Sequence, residues 1–352
     1  MKPQVLFVDD EPLILQGLQR SLRGMRGDWE MTFLDSGAAA LAFMESHPVD
    51  VIVSDMRMPA MNGVQLLSEV MKRYPKTVRL ILSGHADQDL ILQCVGSTHQ
   101  YLSKPCNPEQ LRATVRRAMD LESQLNNERL QELVGEMEHI PSIPSLYSEI
   151  VDKMHDPDTT VEDIGQIIAK DIGMTAKILK LVNSAFFGVR QQVVSPCEAV
   201  AYLGIDTIKS LVLSTHAFSQ FETIPIAGFS LTALWNHSLR TAAAAKRIAQ
   251  AESQNRKVAD EAFVAGLLHD AGKMALAFNF PEQYRKILAQ PGQSVETRLR
   301  EERALFGATH ACVGGYLLGL WGLPTPVVEA ITLHHLPHKS MAEEFDPLAA
   351  VH

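Results

Sequence analysis

The stretch VDVIVSDMRMPAMNG, residues 49–63, decides the fold of the first third of the chain. A short run of mostly β-branched residues ends on an acid, Asp55, and a turn containing Pro59 and Gly63 follows. Apolar runs bounded in this way read as strands buried on both faces. Working outward, the same signature recurs in QVLFV (4–8), WEMTFL (29–34), TVRLIL (77–82) and QYLS (100–103). Amphipathic stretches near 12–24, 37–46, 63–73 and 87–95 lie between these runs. The alternation predicts an α/β doubly wound domain with a five-stranded parallel sheet, whose functional groups gather at the carboxyl ends of the strands.

Those ends carry a coherent set of side chains. Asp9 and Asp10 follow the first strand, Asp55 ends the third, Ser83 the fourth and Lys104 the fifth. Three neighbouring carboxylates repel one another and call for a hard divalent cation, Mg²⁺, held by oxygen. With the metal neutralising a phosphoryl group, Asp55 is the nucleophile and Lys104 pairs with the developing charge. Ser83 offers a hydroxyl to the phosphoryl oxygens. Any one of these acids could be a helix cap; five in order, with Pro59, Gly63 and Pro105, form a pattern.

Over about residues 3–121 these motifs closely resemble the receiver domain of two-component response regulators. The resemblance implies phosphotransfer from a histidine kinase to Asp55. It implies Mg²⁺ bound by Asp10, Asp55 and the backbone carbonyl of Arg57, with Asp9 supporting. It also implies a switch in which Ser83 turns toward the phosphoryl group and Tyr101 moves inward behind it. Ser83 stands where threonine is more frequent and keeps the hydroxyl.

A long polar helix is predicted from about Pro108 to Met137, including LESQLNNERLQELVGEMEH. It reads either as a solvated linker or as a short dimerising helix, which would make the chain a homodimer and relay movement of the receiver. From IPSIPSL (140–146) onward the strand signal disappears. Residues 145–155, 161–183, 197–221, 230–251, 258–279, 281–290, 295–319 and 325–335 read as helices separated by turn signals. The second domain is therefore all-α. LVNSAFFG (181–188) reads as structure: Asn183 and Ser184 cap or brace a turn, and Phe186 and Phe187 are core.

Five histidines in this region stand at informative places: His237, His269, His310, His334 and His335. Asp270 adjoins His269, and Lys273 follows in GLLHDAGK. A lone helical histidine is usually a satisfied core residue. Several imidazoles with a carboxylate from different helices can hold Zn, Mn or Fe, which makes hydroxide from water for phosphoester hydrolysis.

IPSIPSLYSEI, DIGMTAKILKLVNSAFFG, AVAYLG, LWNHS, AFVAGLLHDAGK and WGLP with AITLHH look like the HDOD domain, over about residues 140–338. That family is related to the HD and HD-GYP phosphohydrolases and is generally regulatory. The resemblance places His237, His269, Asp270, His310, His334 and His335 where HD-GYP enzymes bind metal, and Lys273 where they contact phosphate. The chain departs from those enzymes in HHLPH, which replaces HHE; no GYP signature follows, and their last metal-binding Asp has no counterpart. The implied division is receiver 1–121, linker helix 122–139, HDOD domain 140–340 and tail 341–352.

The 352 residues carry a net charge of −9 and are 46% hydrophobic, the balance of a soluble globular protein. Residues 1–121 hold 13 Lys and Arg against 14 Asp and Glu, and residues 122–352 hold 19 against 27, so the second part carries most of the negative charge. That balance argues against nucleic acid as a partner. Four scattered cysteines (Cys94, Cys106, Cys197, Cys312) fit a reducing cytoplasm. MKPQVLFVDDEP lacks the pattern of a signal peptide, and no run is long enough to span a membrane. Two readings of the output domain follow: a scaffold that contacts an unknown protein target, and a phosphorylation-controlled, metal-dependent phosphohydrolase acting on cyclic di-GMP or another nucleotide.

Overall fold

In the computed structural model of the chain, the described residues are 2–83, 97–104, 108–125, 127–137, 149–150, 153, 159–183, 192–204, 208, 226, 228–253, 255–289, 293–336 and 346–351. They form two compact units, one of residues up to Glu136 and one from Met137 onward. The helix expected at 87–95, most of that at 145–155, the later part of that at 197–221 and residues 184–188 of LVNSAFFG lie outside the described residues.

The first unit is a five-stranded parallel sheet of β1 (Gln4–Val8), β2 (Glu30–Leu34), β3 (Val51–Asp55), β4 (Val78–Ser83) and β5 (Gln100–Ser103), in the order β2-β1-β3-β4-β5. Every residue of β3 and β4 is buried, which explains their near-continuous apolar sequence. Helices α1 (Pro12–Ser21), α2 (Gly37–Met44) and α3 (Gly63–Arg73) belong to this unit. Asn62 starts α3 with a reciprocal capping box to Gln65, an arrangement that satisfies two otherwise orphaned backbone donors.

The predicted single helix from Pro108 to Met137 is instead two, α4 (Pro108–Leu125) and α5 (Glu128–Gly135). The Asn127 side chain accepts the Leu130 N–H at 3.1 Å and restarts the helix. α5 packs in the first unit. A Cβ on Gly135 would overlap the Pro75 carbonyl, and Lys76 Nζ lies 3.0 Å from Glu128 and 3.1 Å from Glu132. The guanidinium of Arg79, wholly buried on β4, donates to the Ser97 carbonyl at 2.8 Å and to the Gly135 carbonyl at 3.0 Å.

The described part of the second unit is helical: α6 (Val161–Ile168), α7 (Ile172–Val182), α8 (Pro196–Leu203), α9 (Leu231–Glu252), α10 (Arg256–Leu268), α11 (Ala271–Asn279), α12 (Pro281–Leu288), α13 (Val295–Phe306), α14 (His310–Leu320), α15 (Thr325–Leu333) and α16 (Pro347–Val351). Three stretches expected as single helices, 161–183, 258–279 and 295–319, are each two. Asp171 caps α7 by accepting the Met174 N–H at 2.7 Å. Gly307, in the left-handed region at φ 79°, ends α13, and Thr309 caps α14. The third break falls at His269-Asp270. Asn183 braces the chain as expected, its amide bonding both the carbonyl and the N–H of Val193 at 2.7 Å.

Small residues set the helix spacing. α9 and α10 meet through Ala245, Ala249, Ala259 and Ala262, and α16 adds Ala350. A Cβ on Gly266 would press on the α9 backbone at Ala242. A Cβ on Gly272 would overlap the His310 carbonyl, so α11 and α14 touch backbone to backbone.

Candidate functional site

In the first unit, the parallel register brings the strand ends together. Ligand oxygens of Asp9, Asp10 and Asp55 all lie within 4.8 Å of one another. Lys104 Nζ sits 2.7 Å from Asp9 Oδ2 and 2.5 Å from Asp55 Oδ1. The other oxygen of Asp9 accepts the Glu11 N–H at 2.9 Å. Burial pushes the Asp55 carboxyl up; Lys104 opposes that shift and Asp9 adds to it. Burial alone would lower the Lys104 ammonium, but its bonds to Asp55 and Asp9 outweigh it and hold the ammonium up. A hard divalent cation among the three carboxylates would offset the burial of Asp55, so the donor set fits Mg²⁺.

The remaining residues expected at this cleft lie nearby in the sheet. Ser83 is fully buried and its hydroxyl has no hydrogen-bond partner. Tyr101 is fully buried on β5, opposite Ile81 in the ladder. The side chain of Arg57, two residues beyond Asp55, is exposed. Gly63 lets α3 start against Asp55, whose carbonyl a Cβ would overlap. Ala60, in the intervening loop, is held at φ 64°, a region costly for a residue with a Cβ.

In the second unit, the histidines and Asp270 converge on one cluster, and they do so at helix ends. His269 follows the last residue of α10 and Asp270 precedes α11; His310 opens α14; His334 and His335 follow α15. Asp270 makes no capping bond, so its carboxylate is free to face the cluster. The last carbonyls of a helix have no partner within it. Here two of them orient imidazoles: His269 Nδ1 donates to the Gly266 carbonyl and His334 Nδ1 to the Ile331 carbonyl, each at 2.7 Å. A carbonyl can only accept, so both rings carry the proton on Nδ1 and present the Nε2 lone pair inward.

A residue that the sequence reading did not single out does the same for His310. Glu302 on α13 is wholly buried, and its Oε2 accepts the His310 backbone N–H at 2.8 Å and the Nδ1 proton at 2.7 Å. Its signal was a charge on an apolar stripe, three residues after Leu299 and four before Phe306.

The two oxygens of Asp270 face different histidines. Oδ2 lies 3.4 Å from His269 Nε2, 3.9 Å from His237 Nε2 and 2.7 Å from Lys273 Nζ. Oδ1 lies 3.3 Å from His310 Nε2 and 3.7 Å from His334 Nε2. His335 Nε2 is 3.2 Å from His310 Nε2, and His237 Nε2 is 3.2 Å from His269 Nε2. Burial would raise the Asp270 carboxyl, but His269, His310 and Lys273 hold it well below the usual range. Burial pushes His334 down to about 2 and His335 to about 4, with the neighbouring imidazoles adding to both. Both rings are therefore neutral at pH 7, the state that binds metal. Burial would lower His310, but Asp270 and Glu302 outweigh it and raise it. His237, its side chain 53% exposed, is the accessible edge of the cluster.

The donors fit a transition metal. Asp270 Oδ1 is buried and makes no hydrogen bond, which a buried carboxylate oxygen rarely tolerates without an ion or water. Two groups of potential ligands, His310 with His334 and His335, and His237 with His269 and Asp270, each bring their donor atoms within 4.8 Å of one another.

A phosphoacceptor-type α/β domain followed by a helical domain with this cluster defines a response regulator with an HD-like output domain. The chain belongs to the HDOD family, whose domain it matches over residues 140–337, and it carries a response regulator receiver domain over 5–116. It is similar to the MmoQ response regulator of Methylococcus capsulatus str. Bath, with 27% identity and a TM-score of 0.53, covering 60% of this chain and 82% of that one. An uncharacterized protein of Treponema pallidum (strain Nichols) is 30% identical over 218 residues, 61% of this chain and 41% of that protein. The hydrogenase transcriptional regulatory protein HoxA of Cupriavidus necator is 37% identical over 118 residues, 33% of this chain and 24% of that protein. The chain thus spans less than half the length of either of these two relatives. Among the described residues no helix is long and apolar enough to cross a membrane.

Proposed function

We propose that a partner histidine kinase phosphorylates Asp55 and that the phosphorylated receiver controls the HDOD domain, which acts by contacting a protein target in the cytoplasm. The observation that carries this reading is the cleft itself: a buried acid beside Lys104, two further acids for Mg²⁺, and the partnerless hydroxyl of Ser83. Mg²⁺, when bound by Asp10, Asp55 and the Arg57 carbonyl, supplies charge neutralisation for the incoming phosphoryl group. An Asp55 carboxylate oxygen attacks phosphorus as the P–N bond to the kinase's phosphohistidine breaks, so the imidazole leaves; Lys104 pairs with a phosphoryl oxygen, Ser83 donates to another, and Tyr101 occupies the space behind it. We divide the chain into a receiver of residues 1–121, a connecting segment 122–139, an HDOD domain 140–340 and a tail 341–352.

Acetyl phosphate with Mg²⁺ is expected to add one phosphoryl group to the full chain, seen by intact mass. Asp55→Asn and chelator should each abolish it. An equal adduct on Asp55→Asn would place the acceptor elsewhere.

One observation favours a second reading, a metal-dependent phosphohydrolase: Asp270 turns one oxygen to each of two histidine groups. His237, His269, Asp270, His310, His334 and His335 would hold Zn, Mn or Fe, which would lower the pKa of a bound water. Lys273 and the exposed edge at His237 would receive the phosphate of a nucleotide or cyclic dinucleotide. Turnover of cyclic di-GMP by metal-loaded protein, lost in Asp270→Asn, supports this reading. Metal binding without turnover leaves the domain a binding module toward that substrate.

A further inference from the structure

The histidine cluster is not symmetric, and the asymmetry has a consequence for how it fills. Donors about 2.1 Å from a tetrahedral metal lie roughly 3.4 Å apart. Around Asp270 Oδ1 the separations are close to that value: 3.3 Å to His310 Nε2, 3.7 Å to His334 Nε2, and 3.2 Å between His310 and His335. This half brings three imidazoles together, with Asp270 Oδ1 close to two of them and with His310 and His334 buried. Glu302 and the Ile331 carbonyl lock two of the rings from behind.

The other half has similar spacings, 3.2 Å from His237 to His269 and 3.4 Å from His269 to Asp270 Oδ2. It differs in two ways. His237 is more than half exposed, its ring facing His269 and, at greater distance, Asp270. And Asp270 Oδ2 already has a cation: Lys273 Nζ, 2.7 Å away and one helical turn along α11, with a side chain only 19% exposed. A metal ion entering here would meet a like charge at contact distance, and the repulsion between two such charges is large in a partly buried site.

We propose that the resting protein binds one transition-metal ion in the His310–His334–His335–Asp270 half, and that Lys273 stands in for the second cation and keeps the His237–His269 half weak. This rests on the metal reading of the cluster and adds its stoichiometry. Lys273 is thereby a positioning residue for Asp270 and a gate on the second half.

The test is Co²⁺ titration of the chelator-stripped full chain, followed by visible absorption and by equilibrium dialysis. Wild type should take up one tight equivalent. Lys273→Met, which keeps the stem and removes the charge, should gain a second equivalent with affinity raised about tenfold or more. His237→Ala in the Lys273→Met background should lose only that second equivalent, and His334→Ala in wild type should lose the first. Lys273→Gln gives an independent check should the methionine variant fold poorly. Two equal equivalents in wild type, unchanged by Lys273→Met, would overturn the proposal and leave the metal reading standing. One equivalent in both proteins would overturn the role of Lys273. No tight Co²⁺ in any protein would remove the metal reading itself, and this inference with it.

Discussion

At the scale of single residues, Glu302 and Asp270 do different work on the same histidines. Glu302 never faces the centre of the cluster; it fixes the His310 ring through Nδ1. Glu302→Gln should weaken metal binding by about 10- to 100-fold while leaving the helical fold, because outer partners orient ligands without coordinating. Metal affinity together with far-UV circular dichroism checks this, and unchanged affinity would reduce Glu302 to a packing role. Lys177, which belongs to neither cluster, offers a pH test. It is buried on α7, and burial lowers its ammonium from 10.5 to about 8, with Asp171 opposing. Between pH 8 and 10.5 the unfolded chain therefore holds more proton than the folded one, and stability rises with pH across that window. Lys177→Met should remove that rise, leaving a flatter stability profile between pH 8 and 10.5 than the wild type shows. Denaturant midpoints at the two pH values read the difference.

At the scale of elements, the strands were far more legible than the helix breaks. β1 and β5 coincide with the runs read from sequence; β2 starts one residue later, and β3 and β4 are shifted by one or two residues at both ends. Buried parallel strands are uniformly apolar and sharply bounded by turn residues. The helical half has no such punctuation. ADEAFVAGLLHDAGKMALAF keeps an apolar face straight through residue 269, so periodicity gave one helix where there are two. At the break, a Cβ on Gly272 would overlap the His310 carbonyl, so α11 begins in backbone contact with α14, a tertiary contact that periodicity along 258–279 does not carry. The candidate ligands were therefore found by residue type, while their placement at helix ends was not visible. Glu302 was missed because its partner lies across the α13–α14 break.

The same contact gives a prediction. Gly272→Ala should force α11 and α14 apart, costing about 1–3 kcal/mol as overpacking does, and should separate Asp270 from His310 so that tight metal binding is lost. Thermal melts and metal content on one preparation check both halves. In the first unit, Gly135→Ala should lift α5 from Pro75 and break its link to Arg79. Hydrogen exchange in residues 128–135 should rise while β1, β3 and β4 stay protected; unchanged exchange would mean that the docking of α5 contributes little.

At the scale of the whole molecule, the chain joins a receiver domain to an acidic helical unit, with α4 and α5 between them in sequence. β4 links two features of the first unit. Its carboxyl end bears Ser83, and Arg79, four residues earlier, bonds the last residue of α5. Under the proposed phosphorylation, β4 is the element through which a change at Ser83 would reach α5. The proposal takes a protein target rather than nucleic acid because residues 122–352 hold 27 acids against 19 Lys and Arg.

The central claim is that phosphorylation of Asp55 controls the HDOD domain. Hydrogen–deuterium exchange of the full chain, with and without Mg²⁺ and beryllofluoride as the phosphoryl mimic, tests it most directly. The account predicts altered exchange around Ser83 and Tyr101, in α5, and in peptides beyond residue 140, with all of these changes absent in Asp55→Asn. Changes confined to residues 1–121 in wild type would contradict it and leave two domains that share a chain without sharing a signal.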